Sequence, residues 1–189
     1  MSRLAQLRTD GTERLILDAA LEVLREARVG ELTVRGLARA SGISERTIFR
    51  YFPDREALLD GIAADFTRRL GLPRDPESVE EILAAPRALY ARFEAMAPLV
   101  RAMLDTEISQ RIRKKGGHTR WVAVGRVVDR AFPRVPERDR KLAATNVRFY
   151  LSASTWNYYR RSFGLGLEDT IACAELAIRQ ALAGLKGRG

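Results

Sequence analysis

Residues 33–58, TVRGLARASGISERTIFRYFPDREAL, leave a chain little freedom, because they spell two short helices joined by a glycine turn. The Thr33 hydroxyl can accept one of the backbone N–H groups that every helix start leaves unpaired, so a first helix begins there. Leu37 and Ala38 then face inward. Four residues after Ala38, Gly42 takes a backbone angle that other residues resist, and the small Ala38 lets the two helices approach closely. Ser44 is a good N-cap for the second helix, which puts Ile43, Ile48 and Phe52 on one side and Glu45, Arg46, Thr47 and Arg50 on the other. Thr47 sits at the third helical position, where a capping box would have Glu or Gln, and it replaces that reach with a short neutral hydroxyl. The result is a helix-turn-helix whose outward face is polar and basic, chemically suited to a nucleic-acid groove.

This segment resembles the DNA-binding domain of TetR-family transcriptional regulators. The matching elements are an N-terminal helix over Glu13 to Arg28, then Gly30, Thr33, the Ala38/Gly42 pair, Thr47-Ile48-Phe49-Arg50-Tyr51-Phe52-Pro53 and Arg55-Glu56-Ala57-Leu58-Leu59, a dense likeness over residues 12–60. What the resemblance implies is a division of labour. Thr33 and Arg35 would touch the sugar-phosphate backbone; Ser44, Arg46 and Thr47 would reach base edges from the first turn of the recognition helix; Arg50 and Tyr51 would lie further along, toward the backbone; Arg55 would bind a phosphate. Phe49 is counted with this set but departs from the family, whose members often carry Tyr there, so the phosphate hydrogen bond passes to Tyr51. The physics agrees, since helix N-termini offer free N–H groups and a positive dipole end to phosphate oxygens.

The rest of the chain reads as helix. Breaks fall at GLPRDP (71–76), KKGGH (114–118), FPRVP (132–136) and FGLG (163–166), and no alternating strand pattern or internal repeat competes. Between them the spacing predicts helices over Glu56–Leu70, Ser78–Ala97 with an interruption near Pro86, Pro98–Lys115 as two helices or one bent one, Trp121–Ala131, a long Pro136–Ser162, and Leu167–Leu185. The expected class is all-α, with a three-helix helix-turn-helix domain over 1–55 and a helical effector-binding and dimerisation domain over 56–189, both ordinary domain sizes.

Charge adds a second theme. The formal net charge of +9 fits a nucleic-acid partner, yet residues 1–55 carry a net of only +2 while residues 101–148 carry +8. The plain reading of that second stretch is a solvated face of charged helices; the sharper one is an acidic effector, or a carboxylate or phosphate group recognised at a pocket mouth. The single Cys173 forms no intrachain disulfide, and no leader or apolar run long enough to cross a membrane is present, so a cytoplasmic protein without a membrane partner is expected. One His, one Cys and no paired acids at metal spacing assemble neither a triad nor a zinc site, so no catalytic or metal residue and no cofactor is assigned, and an enzyme is disfavoured.

In the last helix Ile171, Ala174, Ile178, Ala181 and Leu185 recur at helical spacing, and the resemblance implies that the last two helices form a four-helix dimer interface across a two-fold axis; the same stripe serves equally as intramolecular core. The family's C-terminal domain encloses a cavity for a small effector, and the bulky candidates to line it are Phe66, Tyr90, Phe93, Met96, Met103, Trp121, Phe149, Tyr150 and Trp156, which suit a molecule with an apolar or planar body. The expectation is a homodimeric repressor released from a palindromic DNA operator by that effector. The alternatives are an activator or corepressor-dependent repressor, or a sequence-nonspecific binder of DNA or an anionic surface.

Overall fold

A computed structural model describes residues 3–26, 32–104, 106–114 and 118–186, and in it Thr33 and Ser44 cap the helices they were expected to start. The Gly36 amide donates to Thr33 Oγ1 at 3.0 Å and the Thr47 amide to Ser44 Oγ at 3.2 Å. Gly42 ends the first of these helices with φ at +70°, the left-handed region that glycine enters without a steric penalty.

The described residues form helices and no strands: α1 Arg3–Arg25, α2 Val34–Ser41, α3 Glu45–Tyr51, α4 Arg55–Leu70, α5 Val79–Ala95, α6 Ala97–Leu104, α7 Glu107–Ile112, α8 His118–Ala131, α9 Glu137–Tyr150, α10 Ala153–Ser162 and α11 Leu167–Lys186. They pack as two compact units, one of residues 1–69 with 98–112 and one of 70–97 with 113–189. The division expected at 55/56 separates roles; the packing instead gives most of α4, and α6 and α7, to the first unit. Arg28 and Gly30, and the glycines of KKGGH, lie outside the described residues.

In the first unit α1 packs on α2 and α2 on α3. The buried face of α1 is Ile16, Leu17, Ala20, Leu21, Val23 and Leu24, and Leu37, Ile48 and Phe52 are buried from the two helices that follow. Helix α4 reaches Phe52 through Gly61. A Cβ built on Gly61 would stand 2.5 Å from Phe52 Cε1, inside any tolerable contact with a ring that is itself buried. Gly61→Ala gains about 1 kcal/mol of helix propensity and meets an overpacking cost of about 1–3 kcal/mol, so it should lower stability in urea unfolding; an unchanged or raised midpoint would show that the ring yields.

The second unit pairs α8 with α9, α9 with α11, and α11 with α5, while α10 contacts α5, α9 and α11. Two expectations change here. Helix α5 runs unbroken through Pro86, which is buried among Ile82, Leu89, Tyr90 and Phe93 on the helix's inner face; burial outweighs the hydrogen bond that proline removes. The long helix expected over Pro136–Ser162 is two, because Leu151 is buried at the junction and Ser152 offers a competing cap. The Thr155 amide donates to Ser152 Oγ at 3.2 Å, and the Thr155 hydroxyl donates to the Phe149 carbonyl at 2.6 Å. The segment from Pro98 resolves into two helices, with Thr106 between them donating its hydroxyl to the Met103 carbonyl at 2.8 Å.

At the heart of this unit, Phe93 lies between Tyr90 and Trp156, with ring centroids 6.1 and 5.9 Å away. Glu94 satisfies the polar edge, accepting from Trp156 Nε1 at 3.0 Å and from Arg160 Nη2 at 2.7 Å. The Tyr90 hydroxyl donates to the Tyr150 carbonyl at 2.6 Å, and burial pushes its pKa far above the ordinary range, so it remains a donor.

Candidate nucleic-acid interface

The outward face of α3 is built from its own cap. Ser44 Oγ and Thr47 Oγ1 lie 2.9 Å apart, so the short hydroxyl at the third helical position closes on the capping side chain. Together the two hydroxyls retain one donor and two acceptor sites for outside groups. Around them Arg46, Phe49 and Arg50 are exposed, Tyr51 is half-buried, and the Arg50 guanidinium carbon stands 5.3 Å from the Tyr51 ring centroid. Phe49, 47% exposed, puts a large apolar ring on an otherwise polar face. Thr33 and Arg35 are exposed at the start of α2, so this face carries hydroxyls, guanidiniums and a helix N-terminus together.

Arg55 has a partner that sequence reasoning missed. Its Nη1 donates to Glu107 Oε2 at 2.9 Å and its Nη2 to Glu107 Oε1, a two-pronged pair between α4 and α7. One turn further along α7, Arg111 binds Glu56 and Asp60 of α4, with Nη1 to Asp60 Oδ1 at 2.9 Å. Charges thus alternate across the two helices. The hydrogen bond from Arg55 holds the Glu107 carboxyl below the usual carboxylate range, and the same bond raises Arg55. Glu107 is the group that titrates, and its lowered value keeps the pairing intact through neutral pH and releases it only as pH falls through that value. Arg55 and Glu107 are 52 positions apart, so no local spacing could have paired them.

Comparison with known proteins agrees with this geometry. The profile described as bacterial regulatory proteins, tetR family, matches residues 16–62, the stretch from α1 into α4. The chain carries the TetR-family helix-turn-helix. The class D tetracycline repressor of Escherichia coli is 37% identical over 71 residues, covering 36% of this chain and 33% of that repressor. The HTH-type regulator YdeS of Bacillus subtilis is 31% identical over 93 residues, 49% of this chain and 46% of its own length, and BetI of Escherichia coli is 35% identical over 57 residues, 30% and 29%. The chain therefore spans less than half the length of these relatives. A crystal structure of a TetR variant from Acinetobacter baumannii in complex with minocycline matches with a TM-score of 0.50 at 20% identity, over 92% of this chain and 96% of that one, a likeness of fold.

Outside the TetR helix-turn-helix, the expected site residues scatter. Phe66 and Met103 are buried in the first unit; Tyr90, Phe93 and Trp156 form the aromatic core of the second. Met96 and Tyr150 are half-buried. Phe149, 58% exposed, and Trp121, 37% exposed, stand on the surface, Phe149 edge-on to Tyr150 and Trp121 against His118, so neither lines an enclosed cavity. The buried faces of these helices are smaller side chains instead, Val124, Val127 and Val128 on α8 and Ala143, Ala144 and Val147 on α9.

The stripe expected at a dimer interface is corrected in the same way. Ile171, Ala174, Ile178 and Leu185 are 1, 0, 0 and 4% exposed and Ala181 is half-buried, so this face of α11 is the protomer's own core. Periodicity identified the buried face but not what buries it. The apolar groups left outside are Leu176 on α11, Tyr158 on α10 and Phe163 just beyond, the last two edge-on with centroids 5.4 Å apart. Within the basic stretch over 101–148, Arg120 pairs with Asp75, Arg140 with Asp129, and Arg130 donates to the Glu77 carbonyl.

Proposed function

We propose that the protein is a DNA-binding transcriptional regulator, acting by default as a cytoplasmic repressor that a small-molecule effector releases from a palindromic operator. The observation that carries this reading is the exposed α3 face, where Ser44, Arg46 and Thr47 stand at a capped helix start and Arg50 in the last turn, on a TetR-family helix-turn-helix. The tetracycline repressor relatives are repressors by name, and the fold neighbour holds minocycline, which supports repression and effector release. Two copies are required, since recognition helices held about 34–36 Å apart read two half-sites one helical turn apart. The surface we assign to pairing is the outward side of α10 and α11, with Tyr158, Phe163 and Leu176. No helix among the described residues is long and apolar enough to cross a membrane.

The test is binding of the purified protein to its own upstream region against random DNA at two salt concentrations, because the phosphate term falls steeply with salt. A preference of about a thousandfold at physiological salt is expected; equal binding would leave only a nonspecific role.

Glu107 enters this reading as a competitor. To grip a phosphate Arg55 must let Glu107 go, and an exposed ion pair is worth up to about 1 kcal/mol. Glu107→Gln should therefore tighten DNA binding by up to about fivefold for operator and random DNA alike, and steepen the salt dependence. Weaker binding would show that the pair positions Arg55 rather than withholding it.

A further inference from the structure

A cleft of about 220 Å³ opens in the second unit where the Pro73–Pro76 segment meets α5. Its floor is apolar: Ala85, Ala88 and Leu89 from α5 and Leu151 from the α9–α10 junction, with the alanines supplying the room. The most sheltered charged side chain in its wall is Arg120 of α8, only 11% exposed. Arg120 is fixed from behind, Nε donating to Asp75 Oδ1 at 2.9 Å and Nη2 to the Pro73 carbonyl at 2.7 Å, while Nη1 bonds to nothing among the described residues. A guanidinium held in this way is a pre-oriented donor, and little conformational freedom is lost when it takes an anion.

The local charge points the same way. Arg148 lies close to Arg120, and burial first, then the Arg120 charge, lower its pKa, with Asp75 opposing them. Arg148 thus adds positive charge beside Arg120. Arg74 and Glu81 also line the cleft; Arg74 is shared between Glu81 and Glu77, and Glu81 disfavours a second negative charge on the occupant.

We propose that this cleft binds a small monocarboxylic acid with a compact apolar or planar body, its carboxylate on Arg120 and its body against Ala85, Ala88, Leu89 and Leu151. The volume lies below the roughly 300–1,000 Å³ of drug-sized sites, so the occupant is of about benzoate size. A neutral hydrocarbon would leave the guanidinium unpaired; a bare inorganic anion would leave the apolar floor wet. That this acid is the effector rests on the regulator reading above; that the cleft binds it does not.

The experiment is calorimetric titration of the full-length protein with benzoate, benzamide and inorganic phosphate. Benzoate should bind, its uncharged isostere benzamide at least tenfold more weakly, and phosphate not detectably. Arg120→Gln should bring benzoate down to the benzamide level. Ala88→Phe, at an exposed α5 position, should abolish binding of both while Arg120 stays in place and the circular dichroism is unchanged. Equal affinity for benzoate and benzamide, phosphate binding as tight as benzoate, absence of benzoate binding, or benzoate binding that survives Ala88→Phe would each overturn the assignment. Fluorescence anisotropy with labelled operator then separates the two claims: benzoate that binds and leaves DNA affinity unchanged supports the cleft and removes its effector role.

Discussion

Ile178→Asp should unfold the second unit rather than simply dissociate a dimer. Ile178 is fully buried on α11, between Ala174 and Leu182 on the same inner face, and α11 packs on both α5 and α9. An unpaired carboxylate in that apolar setting loses its hydration, which places the substitution among the exceptional changes of about 4 kcal/mol or more. Against a total stability of about 5–15 kcal/mol, that removes between a quarter and most of the margin. The contrasting change is Leu176→Asp, two positions away and 56% exposed, which costs the protomer little. Circular dichroism and sedimentation velocity separate them: Ile178→Asp should lose its cooperative melt, while Leu176→Asp should keep its helical spectrum, sediment as a monomer and fail to shift operator DNA. A Leu176→Asp protein that remains dimeric would move the interface away from this face of α11.

Arg46→Ala should relax the choice of base at one operator position by about 5- to 150-fold, the equivalent of losing one bidentate arginine–guanine pair worth about 1–3 kcal/mol. Arg46 sits in the first turn of α3, exposed, beside the Ser44–Thr47 hydroxyl pair that anchors the helix start. Arg55→Ala should act differently. Its partner would be a phosphate, common to every sequence, so the loss should be even across operators and smaller in size, because removing Arg55 also removes its competition with Glu107. Binding to a library of single-base operator variants measures both. A profile for Arg46→Ala that stays parallel to wild type at every position would remove it from base reading.

The residues that were legible were those whose partners lie within a few positions. Thr33 and Ser44 act on amides three residues away and Gly42 through its own backbone, so their caps and turn could be read directly. The apolar period of α11 likewise marked its inner face. What escaped was every relation set by packing at long range: the Arg55–Glu107 and Arg111–Asp60 pairs, the burial that carries α5 through Pro86, and the cleft behind Arg120. Bulk and aromaticity were poor guides, since Phe149 and Trp121 came to the surface while the alanines of α5 made the space. Side-chain size predicts what fills a volume, and a ligand site needs volume left unfilled.

Asp65, 3% exposed on α4, accepts from Arg69 Nε at 2.7 Å and from Arg68, and Arg69 also reaches Asp18 on α1. A buried carboxylate anchored in this way resists separation from its cations, because either half left alone would be a stranded charge. Helices α1 and α4 are thereby riveted through a single guanidinium. In native-state hydrogen exchange their amides should open as one block with one free energy, because the pair of acids and their arginine ties together two helices whose apolar faces are already buried.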